Sequence, residues 1–132
     1  MKIQGFDHLV LNVQDLDRSL NFYGQVLGLK VLRLDEFRRR EVPFPSVRIS
    51  SDALIDLVQG PRPPDGANVD HFCLIIEPTD MDKLPMELEA LGIEVIRDVG
   101  RRWGAHGWGL SLNIKDPDGN SIELKCHPPG FS

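Results

Sequence analysis

Long apolar runs, an excess of positive charge and a cysteine framework are all missing from this 132-residue sequence. No apolar run approaches the ~20 residues that cross a bilayer, so we expect no membrane-spanning helix. A net charge of −5 argues against nucleic acid or an anionic membrane as the main partner, because both bind cationic surfaces. Cys73 and Cys126 lack metal-motif spacing and form no disulfide framework, which predicts a reducing, cytoplasmic location.

The composition is otherwise that of an ordinary globular protein. Hydrophobic residues make up 41% of the chain and charged residues 27%. A chain of 132 residues buries roughly two-thirds of its unfolded surface, which is enough for a core without disulfides. We therefore predict a single domain over residues 1–132.

One pattern of residues occurs twice. An Asp-His pair followed by aliphatic residues contains His8 in the first copy and His71 in the second. A Leu-Gly pair follows in each, at Gly28 and Gly92, with nearly the same separation from its histidine. Such internal similarity predicts two related supersecondary units. The predicted division is module one 1–58, linker 59–68, module two 69–126 and tail 127–132.

Hydrophobic periodicity predicts the elements. Residues 6–13 alternate as a strand does, and a stripe with helical spacing then follows Asp15 or Asp17 and ends before Gly28. This stripe consists of Leu16, Leu20, Tyr23 and Leu27. The remaining predictions are strands near 29–35, 46–50, 53–58, 70–77, 93–98, 109–115 and 121–126, a turn at 116–120, and a second helix, capped by Thr79 or Asp80, whose buried face is Met81, Leu84, Leu88 and Leu91.

Strand parity separates an aliphatic face, predicted to pack on the helices, from a polar one. The polar set is His8, Asn12, Arg48, Asp56, His71, Cys73, Ser111, Asn113, Ser121 and Glu123. Buried polar groups need partners, so this face predicts a wet crevice.

Four of these polar residues form a candidate metal site. His8 and His71 occupy equivalent positions of the opening strands, and Asp56 and Glu123 occupy equivalent positions of the closing strands. Two imidazoles with one or two carboxylates suit one divalent ion: Fe, Mn, Ni, Co or Zn. A single histidine here would more simply be structural, but the repeated placement favours metal. Asp56 either binds the ion directly or binds a neighbouring group or water.

Other residues are candidates for substrate binding. Arg48 has crevice parity and either holds an anionic group or pairs with Asp56. Asn113 lies on the same polar face. A glycine-rich segment containing Trp103, His106 and Trp108 is interpreted as a lid or substrate wall, or else as an ordinary surface loop.

The sequence resembles the vicinal oxygen chelate superfamily over essentially its whole length. The resemblance rests on the segments FDHL at 6–9, DRSLNFY at 17–23, VLGL at 26–29, DHF at 70–72 and DPDGNSIEL at 116–124. It implies an α+β fold in which two tandem βαβββ modules form an open, barrel-like mixed sheet around a metal crevice, with the helices on the outer face. The metal positions of the family map onto His8, Asp56, His71 and Glu123, although glyoxalase-like members have Glu or Gln where this chain has Asp56.

The resemblance also implies a small-molecule substrate, a homodimer and several alternative functions. In the first, a glyoxalase- or epimerase-like lyase or isomerase uses Glu123 or Asp56 to move a proton next to a carbonyl. In the second, His8, His71 and Glu123 hold Fe(II) for extradiol ring cleavage. A third is thiol transfer to an antibiotic, with Arg48 or Lys115 holding an anionic group. The fourth is a metal-free small-molecule binding protein.

Overall fold

The chain folds into two compact units. The computed structural model describes residues 1–60, 68–115 and 119–131. One unit, the N-terminal unit, comprises His8–Asp70, and the other, the C-terminal unit, comprises Met1–Asp7 and His71–Ser132. The first seven residues therefore group with the second half of the chain. Most of the predicted linker and residues 116–118 of the predicted turn lie outside the described residues.

The N-terminal unit contains a four-stranded mixed sheet and two short helices. Strand order is β2-β3-β4-β1, with β1 parallel to β4 and the other neighbours antiparallel. A π-helical segment, Asn21–Val26, directly extends the first helix. The bounds are β1 Ile3–Val13, which begins in the other unit, α1 Leu16–Leu20, β2 Lys30–Leu32, α2 Leu34–Arg38, β3 Ser46–Ser50 and β4 Ala53–Gln59.

The C-terminal unit repeats this arrangement. Its strand order is β5-β8-β7-β6, with β5 parallel to β8 and the other neighbours antiparallel. In both units the opening strand thus lies beside the closing strand, which confirms the predicted α+β class and the βαβββ repeat. The bounds are β5 Val69–Ile76, α3 Leu84–Ala90, β6 Val95–Gly104, β7 Gly107–Lys115 and β8 Ser121–Cys126. Within the described residues, no helix is long and apolar enough to cross a membrane.

Each unit has its own apolar core on the predicted sheet face. In the N-terminal unit Leu16 of α1 packs with Val47 and Leu57. The core of the C-terminal unit consists of Ile76, Met81, Leu84, Leu88, Leu112, Leu124 and Cys126. Ile49 has the apolar parity but is 46% exposed, because the ladder of β3 becomes irregular between Arg48 and Ser50.

Two residues predicted to be buried on helices are exposed. The π-helical segment bonds Leu27 N to Phe22 O, five residues back, and this wider turn carries Leu27 off the stripe to 53% exposure. Leu91 lies just beyond the last residue of α3 and is 76% exposed. The second of the two predicted helices is α3. It begins later than predicted, at Leu84, because the Asp80 side chain accepts hydrogen bonds from the amides of Asp82 and Lys83 and closes a turn there.

Two further differences concern the strands. The predicted strand 29–35 ends at Leu32, where Arg33 takes a left-handed conformation with φ of 63° and α2 follows. The segment interpreted as a glycine-rich loop is a tight β-hairpin, in which Trp103 pairs with Trp108. Register shifts in β6 between Val95 and Gly100 break its period-two pattern, which explains why only 93–98 was predicted as strand.

Candidate metal centre

In the N-terminal unit a histidine and a carboxylate lie side by side. His8 on β1 pairs with Leu54 of β4, so Asp56, two residues further along β4, points to the same face as His8. His8 Nε2 lies 3.7 Å from Asp56 Oδ2, and the two side chains are 4% and 1% exposed. The other oxygen, Asp56 Oδ1, accepts a hydrogen bond of 2.5 Å from Ser46 Oγ, directly opposite on β3.

The C-terminal unit repeats the same construction. Glu123 of β8 pairs with Cys73 of β5, so His71 stands two residues before that partner, as His8 stands two before the partner of Asp56. His71 Nε2 lies 3.5 Å from Glu123 Oε2. Glu123 Oε1 accepts a hydrogen bond of 2.7 Å from Ser111 Oγ. Each unit therefore holds one imidazole, one carboxylate and one hydroxyl, which together we call a half-site.

The donor chemistry of both half-sites fits a divalent ion. Separations of 3.5 and 3.7 Å between nitrogen and oxygen are too long for good hydrogen bonds. Two atoms that each ligate one ion at ~2.1 Å lie roughly 3.0–3.4 Å apart, which is close to these separations. One histidine and one carboxylate are fewer ligands than the three protein groups of a typical catalytic site. A single half-site is therefore incomplete as a metal centre.

Two arginines that sequence reasoning did not select lie near these carboxylates. Burial lowers the pKa of Arg33, and the charge of Asp56 opposes that shift. Burial and the charge of Arg97 lower the pKa of Arg102, while Glu123 opposes the shift. Arg102 pairs with Gly109 in the hairpin and so shares the face of Ser111. Arg102 could have been selected from the sequence if the hairpin had been recognised from its paired Trp-Gly and Gly-Trp ends.

A buried charged cluster lies deeper in the C-terminal unit. Asp7 and Lys125 are both fully buried, and Asp7 Oδ1 accepts a hydrogen bond of 2.9 Å from Ala105 N. Over the part of the chain that the structure describes, Lys125 Nζ makes no hydrogen bond. Burial, with the nearby negative charge of Glu123, raises the pKa of the Cys73 thiol, so this cysteine stays protonated.

Two of the predicted substrate contacts, Asn113 and Arg48, lie on the polar face of the sheet. Asn113 pairs with Glu123 across β7 and β8 and is 5% exposed. Its Nδ2 donates to Ser121 Oγ at 3.4 Å, and within the described residues its buried Oδ1 accepts no hydrogen bond. Arg48 is half-buried and its Nη1 donates to the carbonyl oxygens of Ser50 and Ser51, both at 3.4 Å.

The two tryptophans lie on the other face of their sheet. Trp103 and Trp108 have the parity of Leu110 and Leu112, opposite to that of Ser111, and the guanidinium of Arg101 stacks 4.0 Å from the Trp108 ring. The segment interpreted as a loop is a regular hairpin whose turn exposes His106, and its role as a lid or substrate wall stays a prediction. The His106 ring lies 6.0 Å from that of His127.

Residues 5–124 match the family model of the Glyoxalase/Bleomycin resistance protein/Dioxygenase superfamily. The chain belongs to this superfamily. The assignment agrees with the resemblance carried by the histidine motifs. It covers both half-sites, from His8 to Glu123.

Several relatives within the superfamily are similar over most of their length. A probable lactoylglutathione lyase of Synechocystis is 32% identical over 89% of this chain and 91% of its own. A virulence protein of Salmonella typhimurium is 30% identical over 94% of this chain and 85% of its own. The glutathione transferase FosA of Serratia marcescens is 27% identical over 92% and 80%.

Solved structures of the superfamily show the same fold. The methylmalonyl-CoA epimerase of Mycobacterium tuberculosis aligns with a TM-score of 0.64 at 20% identity, covering 96% of this chain and 90% of that one. An Mn(II)-bound glyoxalase of Novosphingobium aromaticivorans aligns with a TM-score of 0.67 at 19% identity, covering 95% of this chain and 39% of that one. At these identities the likeness establishes the fold alone.

Proposed function

We propose that this protein is a divalent-metal-dependent lyase or isomerase of the glyoxalase or epimerase type, acting on a small molecule with adjacent oxygens. The observation that carries the proposal is the duplicated half-site, with His8 beside Asp56 and His71 beside Glu123. Because each half-site offers only two ligands, we propose that the four residues together bind one ion, Fe, Ni, Mn, Co or Zn. Similarity to probable lactoylglutathione lyases supports the reaction class.

In this proposal Glu123 is also the group that moves a proton. The bound ion supplies Lewis-acid stabilisation of negative charge on the substrate oxygens. Glu123 Oε1 is engaged by Ser111, so proton transfer next to a carbonyl would use Oε2, the oxygen that faces His71. Asp56 is bonded to a serine in the same way, but its side chain is one methylene shorter, so its carboxylate has less reach and suits a ligand better than a proton carrier. The buried Oδ1 of Asn113 offers an acceptor for a substrate hydroxyl.

Thiol transfer is the second candidate function. Similarity to FosA, a glutathione transferase, favours it. In that case Arg48 or Lys115 would hold an anionic group of the substrate. A panel that pairs glutathione with either dicarbonyls or epoxides separates the two reactions, because only a transferase forms a stable thioether from the epoxide.

The first experiment is elemental analysis of protein purified without a chelator. We expect near one equivalent of Ni, Co, Mn or Zn, lost in His8→Ala and in His71→Ala but kept in His127→Ala, the matched control outside both half-sites. Iron in place of these ions would point to ring cleavage with O₂. Absence of metal after reconstitution would refute the enzyme reading and leave a small-molecule binding protein.

A second comparison tests whether Asp56 is a direct ligand. We expect Asp56→Ala and Glu123→Ala to weaken metal binding to a similar degree, measured by titration of metal-free protein with Mn(II). Asp56→Asn keeps the acceptor for Ser46 and isolates the loss of charge. A mild effect of Asp56→Ala beside a large effect of Glu123→Ala would leave a centre of three ligands, His8, His71 and Glu123.

We further propose that the protein is a cytoplasmic homodimer. The dimer is a common property of the superfamily, and light scattering on the purified protein measures it directly. Free thiols at Cys73 and Cys126, both buried, are compatible with a reducing compartment.

A further inference from the structure

A chain of hydrogen bonds leads from an arginine to the Glu123 carboxylate. Arg102 Nη1 donates to the Ser111 carbonyl oxygen at 2.5 Å and to Ser111 Oγ at 3.0 Å. Ser111 Oγ in turn donates to Glu123 Oε1 at 2.7 Å. Ser111 is fully buried and Glu123 is 2% exposed, so water does not compete for these groups. Arg102 Nη2 is also fixed, by the Asp98 carbonyl oxygen at 3.0 Å.

The direction of these bonds follows from what each group can do. A guanidinium only donates, whereas a hydroxyl has one proton to donate and lone pairs that accept. With Arg102 donating to it, the Ser111 hydroxyl must send its own proton elsewhere, and its neighbour is Glu123 Oε1. The arginine therefore sets the orientation of the hydroxyl, and the hydroxyl sets the orientation of the carboxylate.

We propose that Arg102 is a positioning residue that acts through Ser111 to turn Glu123 Oε2 toward His71. The proposal rests on the proposed function in that Glu123 is taken as a ligand and proton carrier. Outer residues of this kind commonly change metal affinity by ~10–100-fold when they are replaced.

Gly100 leaves the space in which the Arg102 guanidinium lies. A Cβ atom at Gly100 would lie 3.0 Å from Arg102 Nη2 and 3.3 Å from Cζ, so the guanidinium lies against the glycine backbone. The φ of Gly100 is not positive, so alanine is conformationally acceptable there. Gly100→Ala therefore moves the guanidinium by a few tenths of an ångström without changing any charge or any atom of Ser111 or Glu123.

The sign of the change in metal affinity distinguishes a positioning role of Arg102 from a purely electrostatic one. A guanidinium near a bound cation repels it, so loss of the Arg102 charge would by itself tighten metal binding. Loss of a positioning group weakens metal binding. The two explanations therefore predict opposite changes for Arg102→Gln.

The test is a titration of metal-free protein with Mn(II), in which electron paramagnetic resonance measures the concentration of the unbound ion. We expect an affinity about tenfold weaker for Arg102→Gln and ~10–100-fold weaker for Ser111→Ala. Gly100→Ala should weaken binding in the same direction by a smaller factor. Arg101→Gln removes the same charge from the opposite face of the same strand and serves as the matched control, with no weakening. In the Ser111→Ala background Arg102→Gln should cause no further weakening, because its route to Glu123 is gone. Unchanged or tighter binding in Arg102→Gln, or an additive double variant, would overturn the proposal.

A crystal structure of metal-free Arg102→Gln protein gives a readout that does not depend on metal. We expect the Ser111 to Glu123 contact to be lost or the carboxylate to be rotated. A carboxylate that keeps its 2.7 Å contact and its orientation toward His71 would refute the positioning role. If wild-type protein binds no metal but the carboxylate turns in the variant, the proposed function fails and the positioning role stands. Should Arg102→Gln not fold, Gly100→Ala provides both measurements.

Discussion

Replacement of Gly104 by alanine should be among the most destabilising single changes in the C-terminal unit. A Cβ atom at this position would overlap the Asp7 carboxylate oxygen and lie 2.5 Å from Lys125 Nζ. Asp7 and Lys125 are fully buried, so neither charge can move aside into water. The φ of Gly104 is not positive, so the expected effect comes from this steric overlap and not from backbone strain.

The expected loss of unfolding free energy follows from the contacts that the added methyl group disrupts. Overpacking of a filled site costs about 1–3 kcal/mol, and loss of the charged hydrogen bond from Ala105 N to Asp7 costs about 1.5–3 kcal/mol. The sum is about 2.5–6 kcal/mol. Since the free energy of unfolding of such a domain is about 5–15 kcal/mol, the variant should lose a large part of its stability.

Urea unfolding measures this loss. With an m value of about 1.5 kcal/mol/M, the midpoint should fall by roughly 2–4 M at unchanged m. Gly5→Ala is the matched control, because a Cβ atom there meets nothing within 4 Å and its φ is ordinary. We expect it to change the free energy of unfolding by less than about 0.5 kcal/mol. If Gly104→Ala falls within about 1 kcal/mol of this control, the account of an immovable charge cluster is incorrect.

Three further predictions test burial and charge elsewhere. Leu88→Ala in the core should lower the free energy of unfolding by about 2–5 kcal/mol, while exposed Leu91→Ala should change it by less than about 0.5 kcal/mol; equal effects in urea would contradict the observed end of α3. Because burial raises the pKa of the Cys73 thiol, iodoacetamide at pH 8 should label Cys73 in urea and not in folded protein, and fast native labelling would argue against it. Burial lowers the pKa of His127 below its ordinary value of 6.5, so its contribution to stability is present above that pH and lost as pH falls through the folded pKa. His127→Gln should flatten this loss, and an NMR titration giving a pKa at or above 6.5 would oppose it.

That each histidine shares a sheet face with a carboxylate could be predicted from the sequence, because it depends on strand parity alone. His8 and Asp56 share a face, as do His71 and Glu123, since alternation with period two is a local property of each strand. The duplication then indicated which strands correspond. That the four residues share one metal ion stays a proposal.

Features that depend on non-local geometry could not be predicted in this way. Leu27 has the right spacing for a buried stripe, and only the wider π-helical turn exposes it. The register shifts of β6 hid the hairpin, so Trp103 and Trp108 were interpreted as a loop. Arg102 could not be assigned a face until that hairpin was known, and its role in orienting Ser111 was therefore invisible.

The parallel strand pairs β1–β4 and β5–β8 set the spacing of the residues in each half-site. The spacing of His71 from Glu123, like that of His8 from Asp56, is set by backbone hydrogen bonds between neighbouring strands. Shifting β8 by one residue against β5 would turn Glu123 away and bring Ile122 or Leu124 to face His71. Extra residues in connections such as 39–45 leave both ladders unchanged. Variation in length among relatives should therefore concentrate in the connections, while the strands that carry these four residues keep their length.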